Sequence, residues 1–214
     1  MARTDQFRRR MFLAAAAGTA LVPAFGSAVY AANQAPKVYI DPGHGGSEPG
    51  AVGNGLVEKD LTLDIALQTR DILQNGWSVD VRMSRTGDDT VSLDARTSDA
   101  NSWGAALFVS IHINAGGGTG YEDFRYPTAG EETARIHGIL HDHVLQGMRS
   151  VSSITDRGEK TANFHVLRET VMPAILTENL FIDTAADAGL LADPAFITAT
   201  AQGHADGIAA ALGL

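Results

Sequence analysis

The chain has 214 residues, of which 44% are hydrophobic and 19% are charged, and it contains no cysteine. This composition allows one sizeable core and excludes a disordered chain, disulfide bonds, thiolate metal ligands and a cysteine nucleophile. The formal charge of −9 becomes −12 beyond residue 31, because residues 1–31 hold four arginines and one acid, so we expect no nucleic-acid or anionic-lipid partner.

Residues 1–31 predict an export signal peptide. Three arginines at 8–10 precede a short apolar run at 11–22, which is shorter than the ~20 residues that a membrane span needs. Small residues follow, with a cleavage site after Ala31. Residues 9–13 (RRMFL) resemble the twin-arginine export signature. We therefore expect a periplasmic or extracellular protein, exported by the twin-arginine route, that does not stay inserted in the membrane. A buried N-terminal helix or an uncleaved anchor is the alternative.

Beyond residue 36, predicted strands alternate with predicted helices. β-branched and aromatic runs indicate strands, whereas apolar residues spaced three or four apart indicate helices. Strands are predicted at 37–40, 77–83, 105–111, 121–126, 164–167 and 174–176, and helices at 60–76, capped by Asp60, and at 91–103, 131–148, 185–191 and 194–212. A glycine-rich loop lies between the first strand and the first helix. This order predicts a single α/β domain over residues 32–214 with a mostly parallel sheet.

Polar side chains follow several of the predicted strands. In open α/β sheets, ligands bind beyond the carboxyl ends of the strands. The residues at these ends are Asp41 and His44 after the first strand, His112 and Asn114 after the strand at 105–111, and Glu178 after the strand at 174–176, with Glu58 closing the glycine-rich loop. Taken singly, each is typical of a structural histidine, a helix cap or a turn. Together, on a chain without cysteine, they favour a metal site.

Two imidazoles and one carboxylate form a ligand set that holds catalytic zinc and leaves a position for water. The metal lowers the pKa of that water toward ~7, and a carboxylate that is not a ligand can then move its proton. Glu178 suits this role because it comes from a separate strand, and Asn114 could orient a ligand or bind substrate. A competing site, His137 and His141 at helical spacing, lacks the glutamate of the H-E-x-x-H motif; we expect these histidines to lie on a solvated helix face.

The chain resembles the zinc-dependent N-acetylmuramoyl-L-alanine amidases of the type 3 family. The segments that carry the resemblance are residues 40–46 (IDPGHGG), 49–53 (PGAVG), 58–60 (EKD), 91–93 (VSL) with Arg96 and Asn101, 110–115 (SIHINA), 164–168 (FHVLR) and 172–174 (MPA). These segments follow in order over nearly all of the chain beyond residue 37.

The resemblance implies a twisted, mixed six-stranded sheet flanked by helices. It also implies zinc held by His44, Glu58 and His112, with Glu178 as the catalytic glutamate. The expected substrate is peptidoglycan, cut at the amide between the lactyl group of N-acetylmuramic acid and L-alanine. Asp41 and Asn114 are expected to contact the ligands or the substrate, and the protein is expected to be a monomer.

The sequence departs from the family pattern near the catalytic glutamate. Residues 177–181 read TENLF, whereas the commoner pattern is Val-Glu-x-Gly-Phe; this variant resembles members from bacilli and their phages. The span between Asn114 and the helix at 131 is too short for the regulatory helix of many members, and no wall-binding module is expected. Two other hypotheses stay open: a zinc peptidase or other amide hydrolase acting on wall peptides, and a catalytically silent peptidoglycan-binding relative.

Overall fold

In the computed structural model, which describes residues 34–214, the apolar segments form the centre of a mixed six-stranded sheet. The predicted export signal lies outside the described residues. In chain order the elements are β1 (Lys37–Pro42), β2 (Val52–Gly53), β3 (Leu56–Val57), α1 (Glu58–Gly76), β4 (Asp80–Met83), α2 (Leu93–Trp103), β5 (Leu107–Asn114), β6 (Tyr121–Arg125), α3 (Glu131–Arg149), β7 (Asp156–Thr161), α4 (His165–Arg168), β8 (Ala174–Phe181), α5 (Ala185–Leu191) and α6 (Pro194–Leu212).

The strand order in the sheet is β4-β1-β5-β8-β6-β7. The four strands β4, β1, β5 and β8 run parallel, and β6 pairs with β8 in the antiparallel direction, while β7 is parallel to β6. β2 and β3 form a separate small hairpin. The sheet confirms the predicted mixed, mostly parallel α/β architecture, and it brings the carboxyl ends of β1, β5 and β8 to one edge.

Helices cover both faces of the sheet. Because successive strand residues point to opposite faces, β1 contributes Val38 and Ile40 to one core and Tyr39 to the other. The first core lies under α1, α3 and α6, and the second lies under α2 and α4. Among the described residues, no helix is both long and apolar enough to cross a bilayer.

Two glycines allow α3 and α6 to approach closely. A Cβ atom on Gly147 would lie 2.5 Å from the carbonyl oxygen of Ala199, and one on Gly203 would lie 2.7 Å from that of His143. Neither distance is compatible with a side chain at these positions, so the contact between the two helices depends on both glycines.

The structure corrects several predicted boundaries. Helix α1 begins at Glu58, not near Asp60, because the loop satisfies its first amides: Glu58 N–H donates to Ala51 O (2.9 Å) and Lys59 N–H to Pro49 O (3.1 Å). Strands β5 and β8 run further than predicted, so His112, Asn114 and Glu178 lie within strands rather than after them. The start of α1 and the ends of these strands together place the polar residues at one sheet edge.

Two segments differ in type from the prediction. The stretch 164–167, predicted as a strand, instead holds the N-cap Phe164 and the first three residues of helix α4, and Phe164 O accepts from the amides of Leu167 (3.2 Å) and Arg168 (3.0 Å). A run of four residues is too short for periodicity to separate a strand from a buried turn of helix. Strand β7 was not predicted at all, because its sequence DRGEKT contains no apolar residue.

Candidate metal centre

His44 is held in an unusual backbone conformation at the end of β1. Its φ angle is +60°, and the glycine before it gives room for the second histidine: a Cβ atom on Gly43 would lie 2.4 Å from the His112 ring. Gly50 likewise gives room for Glu58, since a Cβ atom on Gly50 would lie 2.5 Å from Glu58 Oε2. The glycine-rich loop therefore lets His44 of the loop, Glu58 of α1 and His112 of β5 converge.

The three predicted metal ligands come together. Glu58 Oε1 lies 3.3 Å from His44 Nε2 and 3.0 Å from His112 Nδ1, and one ligand atom of each residue lies within 4.8 Å of the others. Among the described residues this is the one group of three or more such side chains with that spacing. Two imidazoles and a carboxylate fit a zinc ion with an open position.

Glu58 is oriented by backbone amides as well as by the histidines. Its Oε2 accepts from Ala51 N–H (2.8 Å) and its Oε1 from Ile113 N–H (3.0 Å). Burial opposes ionisation of Glu58, but the hydrogen bonds of His112, His44 and Ala51 outweigh it and hold the pKa well below its usual range. The carboxylate stays ionised in a buried position, which suits a cation ligand.

Glu178 lies beside the triad on the neighbouring strand. In the β5–β8 pairing it is the register partner of His112, so the two side chains share one face of the sheet. Its Oε2 is buried and has no hydrogen-bond partner among the described residues. Burial raises the pKa of Glu178 to about 7; Glu58 and Glu122 act in the same direction, and His112 acts against them.

The backbone of β8 takes a left-handed conformation two residues after Glu178. Leu180 has φ +70° and is fully buried, at the position where the family pattern has glycine. The β5–β8 register also shifts between His112 and Asn114. A left-handed conformation costs a non-glycine residue about 1–2 kcal/mol, so the departure noted in the sequence adds strain next to the site without removing Glu178.

Two buried arginines support the loop that carries His44. Arg96 donates to the carbonyl oxygen of His44 (2.6 Å) and pairs with Asp41. Arg85 donates to Gly43 O (2.8 Å) and to Pro42 O (3.2 Å). Asp41 therefore lies behind the ligands and fixes Arg96, instead of reaching the centre.

Asn114 is linked to the site through Glu122 rather than through the three metal ligands. Its Nδ2 donates to Glu122 Oε1 (2.9 Å), and Glu122 is the register partner of Glu178 across β6 and β8. Sequence reasoning missed both Arg85 and Glu122. Neither stands in a recognisable motif, and only the sheet register shows that Glu122 lies next to Glu178.

The metal centre lies at the bottom of a cavity of about 650 Å³, whose floor is formed by His44, His112 and Glu178. One wall of the cavity is the start of α2 at residues 92–94, and the other wall is residues 164–166. His165 reaches across to α2, with its Nε2 3.0 Å from Asp94 Oδ1. Two large apolar side chains at the rim, on opposite walls, are partly exposed: Leu93 (52%) and Phe164 (38%).

The prediction of a solvated face for His137 and His141 is wrong. Their exposed fractions are 0% and 5%, and both face Asp123: His137 Nε2 at 2.8 Å and His141 Nδ1 at 2.9 Å from Oδ1. The second nitrogen of His141 lies 3.1 Å from Asp156 Oδ1, and that of His137 lies 3.3 Å from Glu159 Oε2. Carboxylates from β6 and β7 therefore face the ring nitrogens of both buried histidines.

His204 connects α6 with β8, the strand of Glu178. Its Nδ1 donates to Thr200 O (2.9 Å), and Thr177 Oγ1 lies 3.0 Å from its Nε2. Burial lowers the pKa of His204 to about 4, so the ring is neutral. Asn179 extends this network by donating to Thr177 Oγ1 (3.1 Å) and to His112 O (2.9 Å).

Comparison with known proteins agrees with this geometry. The family described as N-acetylmuramoyl-L-alanine amidase matches residues 38–210. The chain is 56% identical over 179 residues to the N-acetylmuramoyl-L-alanine amidase CwlM of Bacillus licheniformis, covering 83% of this chain and 69% of that protein. It is 54% identical, with the same coverage, to the sporulation-specific N-acetylmuramoyl-L-alanine amidase of Bacillus subtilis. A crystal structure of an N-acetylmuramoyl-L-alanine amidase from Clostridium difficile superposes with a TM-score of 0.80 at 32% identity, covering 84% of this chain and 98% of that one.

Proposed function

The chain belongs to the N-acetylmuramoyl-L-alanine amidase family, and on that premise we propose that it is a zinc-dependent peptidoglycan hydrolase. It is an N-acetylmuramoyl-L-alanine amidase that acts in cell-wall remodelling. The bond cut is the amide between the lactyl group of N-acetylmuramic acid and the L-alanine of the stem peptide. The observation that carries the zinc mechanism is the convergence of His44, Glu58 and His112 beside an unpartnered buried oxygen of Glu178.

The ligand set and its surroundings fit zinc. His44, Glu58 and His112 would hold the ion, which when bound supplies a Lewis acid and lowers the pKa of water toward ~7. Glu58 stays ionised, since its two backbone donors and two imidazoles favour the charged form. Arg96 and Arg85 fix the carbonyl groups on either side of the His44 backbone. This scaffold keeps the ligand atoms in place before the substrate arrives.

Glu178 moves the proton in the proposed reaction. Its buried oxygen at the cavity floor has no other partner among the described residues, so it is free to accept a proton from the attacking water. The same carboxyl group then donates that proton to the alanine nitrogen as the amide C–N bond breaks. The leaving group departs as a neutral amine and the lactyl carbonyl carbon becomes a carboxylic acid, whose proton then passes to the amine, so that the products are a carboxylate and an ammonium group.

Zinc content and product analysis test the proposal together. Purified protein is expected to contain about one zinc per chain, the number for a single site, and to release L-alanine amino termini from peptidoglycan. Glu178→Gln should keep the zinc and lose that release; unchanged release would refute the role of Glu178. Mass analysis of the digest identifies the bond and would expose a peptidase if cuts fall within the stem.

A pair of histidine variants tests where the metal binds. His44→Ala should lose zinc, whereas His141→Ala should keep it, because the two ring nitrogens of His141 face the carboxylates of Asp123 on β6 and Asp156 on β7. Loss of zinc from His141→Ala but not from His44→Ala would show that the metal binds at α3 instead.

We also propose that the protein is exported through the signal at residues 1–31. The acidic composition of the remaining chain and the action of its relatives on the cell wall support this. A fusion of residues 1–31 to a folded reporter should appear outside the cytoplasm, and replacing Arg9 and Arg10 by Lys should block it if the twin-arginine route operates. Export that survives this change would favour another route.

A further inference from the structure

A row of paired strand residues continues from the cavity floor beyond Glu178. His112 on β5 is the register partner of Glu178 on β8, and Glu178 is the register partner of Glu122 on β6. Side chains of register partners lie on the same face and next to each other. The row therefore runs from the metal centre through Glu178 to Glu122 and reaches the edge strand β7.

Glu122 is the point at which this row meets two cations. The carboxylate is buried, with 6% of the residue exposed. Its Oε2 accepts from Arg157 Nε (2.6 Å) and from the ammonium group of Lys160, both on β7. Two positive charges share one negative charge, which leaves a surplus of one positive charge within this group of three side chains. The cationic side chains are 32% and 37% exposed, so a ligand can reach them.

Aromatic rings hold both cations in place. The Arg157 guanidinium lies 4.8 Å from the centre of the Phe181 ring, and Lys160 Nζ lies 6.0 Å from that of Phe124. Phe124 in turn packs edge-on against Phe164 of the cavity wall, at 5.3 Å between ring centres. Such contacts reduce the side-chain entropy that a charged ligand would otherwise cost on binding.

The rest of the cavity would repel an anion. The acids that line it are Asp41, Glu48, Asp94 and Glu178, and its one arginine, Arg96, is already paired with Asp41. Arg157 and Lys160 lie outside this lining, beyond Glu178 and Glu122 in the row of register partners, and Lys160 lines a second cavity with Phe124. Apart from the metal, their surplus of positive charge therefore favours a negatively charged ligand group beside the cavity.

We propose that Arg157 and Lys160 form a subsite for a carboxylate of the stem peptide. This inference rests on the proposed function: the lactyl carboxyl group is consumed in the scissile amide, so the free carboxylates of the substrate lie on its peptide part. The nearest one along the chain belongs to the residue that follows L-alanine. The subsite thus selects a stem with a free acid at that residue over one in which the acid is amidated.

Two soluble substrates that differ by one charge test the subsite. They are the N-acetylmuramoyl tripeptides with L-alanine, γ-linked D-glutamate and L-lysine, and with D-isoglutamine in place of D-glutamate. Wild-type protein should have a kcat/KM about five-fold higher for the acid, the size of a partly exposed ion pair. The preference should shrink as salt is added, because ions screen exposed charges.

Variants of the charged group make the test specific. Lys160→Gln and Arg157→Gln each cancel the surplus charge and should bring the two kcat/KM values together, whereas Glu122→Gln doubles the surplus and should widen the preference. Each variant is judged by the ratio of its kcat/KM values for the two substrates, so an effect on catalysis that both substrates share cancels. Arg70→Gln, on the exposed side of α1, removes the same charge elsewhere and should leave the ratio unchanged.

The outcomes separate this inference from the proposed function. Equal kcat/KM values for the two substrates in wild type, or a preference that survives both Lys160→Gln and Arg157→Gln, would refute the subsite while leaving the amidase intact. Release of L-alanine amino termini from neither substrate nor from peptidoglycan would instead refute the function. If Glu122→Gln fails to fold, Lys160→Gln on the exposed edge strand still decides.

Discussion

Replacing His141 by Gln should remove a pH-dependent part of the protein's stability. His141 Nδ1 lies 2.9 Å from Asp123 Oδ1, and its Nε2 lies 3.1 Å from Asp156 Oδ1. A neutral imidazole carries one N–H group, so only the doubly protonated ring can donate to both carboxylates. The proton on His141 therefore joins α3 to β6 and β7, and its loss at high pH removes one of these bonds.

The size of the effect follows from the pKa of His141. Burial by itself would lower this pKa, but the hydrogen bonds and charges of Asp123 and Asp156 outweigh it and raise the pKa from 6.5 to about 9. Because the folded pKa lies above the unfolded one, the stabilisation is complete below about pH 6.5 and is lost as the pH rises through about 9. Linkage gives a loss of about 2 kcal/mol between about pH 7 and about pH 9.

The titratable groups that face His141 and Asp123 also influence the protonation of His141. His137 on the same helix shares Asp123 Oδ1, and its other nitrogen faces Glu159 at 3.3 Å. The Tyr121 hydroxyl donates to the second oxygen of Asp123 (3.0 Å), and burial together with Asp123 keeps the pKa of Tyr121 well above its usual value. Tyr121 therefore stays neutral over this range, and the effect is assigned to the change in charge of His141.

Urea-unfolding free energies at about pH 7 and about pH 9, with zinc saturating, measure the effect. Wild type should lose about 2 kcal/mol more than His141→Gln over this interval. His143→Gln, on the same helix but without a carboxylate partner among the described residues, should behave as wild type does. Equal losses in wild type and His141→Gln would show that the proton on His141 does not stabilise the fold.

Three further substitutions test the scaffold, each by urea unfolding. Leu180→Gly relieves left-handed strain of about 1–2 kcal/mol but removes a fully buried side chain worth about 2–5 kcal/mol, so a net loss of about 2 kcal/mol is expected; a gain would mean that strain dominates. Gly147→Ala should cost about 2 kcal/mol or more, since its Cβ would lie 2.5 Å from Ala199 O; an unchanged midpoint would refute the close approach of α3 and α6. Arg96→Met leaves Asp41 buried without its cation and should cost about 3–5 kcal/mol while also reducing zinc retention; full stability with full zinc would contradict its role under His44.

The candidate centre was readable from the sequence because its residues stand at boundaries that local patterns mark. Apolar runs identify β1, β5 and β8, glycines identify the loop that carries His44, and ligands in parallel sheets gather at the carboxyl ends of strands. His44, Glu58, His112 and Glu178 follow from these signals and from the motifs around them. The alternation of strands and helices likewise predicted a mostly parallel α/β sheet, and the family resemblance implied that the sheet is mixed and six-stranded.

Other features depend on residues that are distant in sequence. The polar strand β7 pairs through its backbone, so its side chains carry no hydrophobic signal, and α4 is too short to show a period. His137 and His141 have the spacing of an exposed helix face, but carboxylates from β6 and β7 offset the cost of burying them. Glu122 became part of the site only through the register of β6 with β8. Local sequence determined the strand ends and the ligand types, whereas the tertiary structure alone decided which polar side chains meet, because such pairs are selected by sheet register rather than by spacing along the chain.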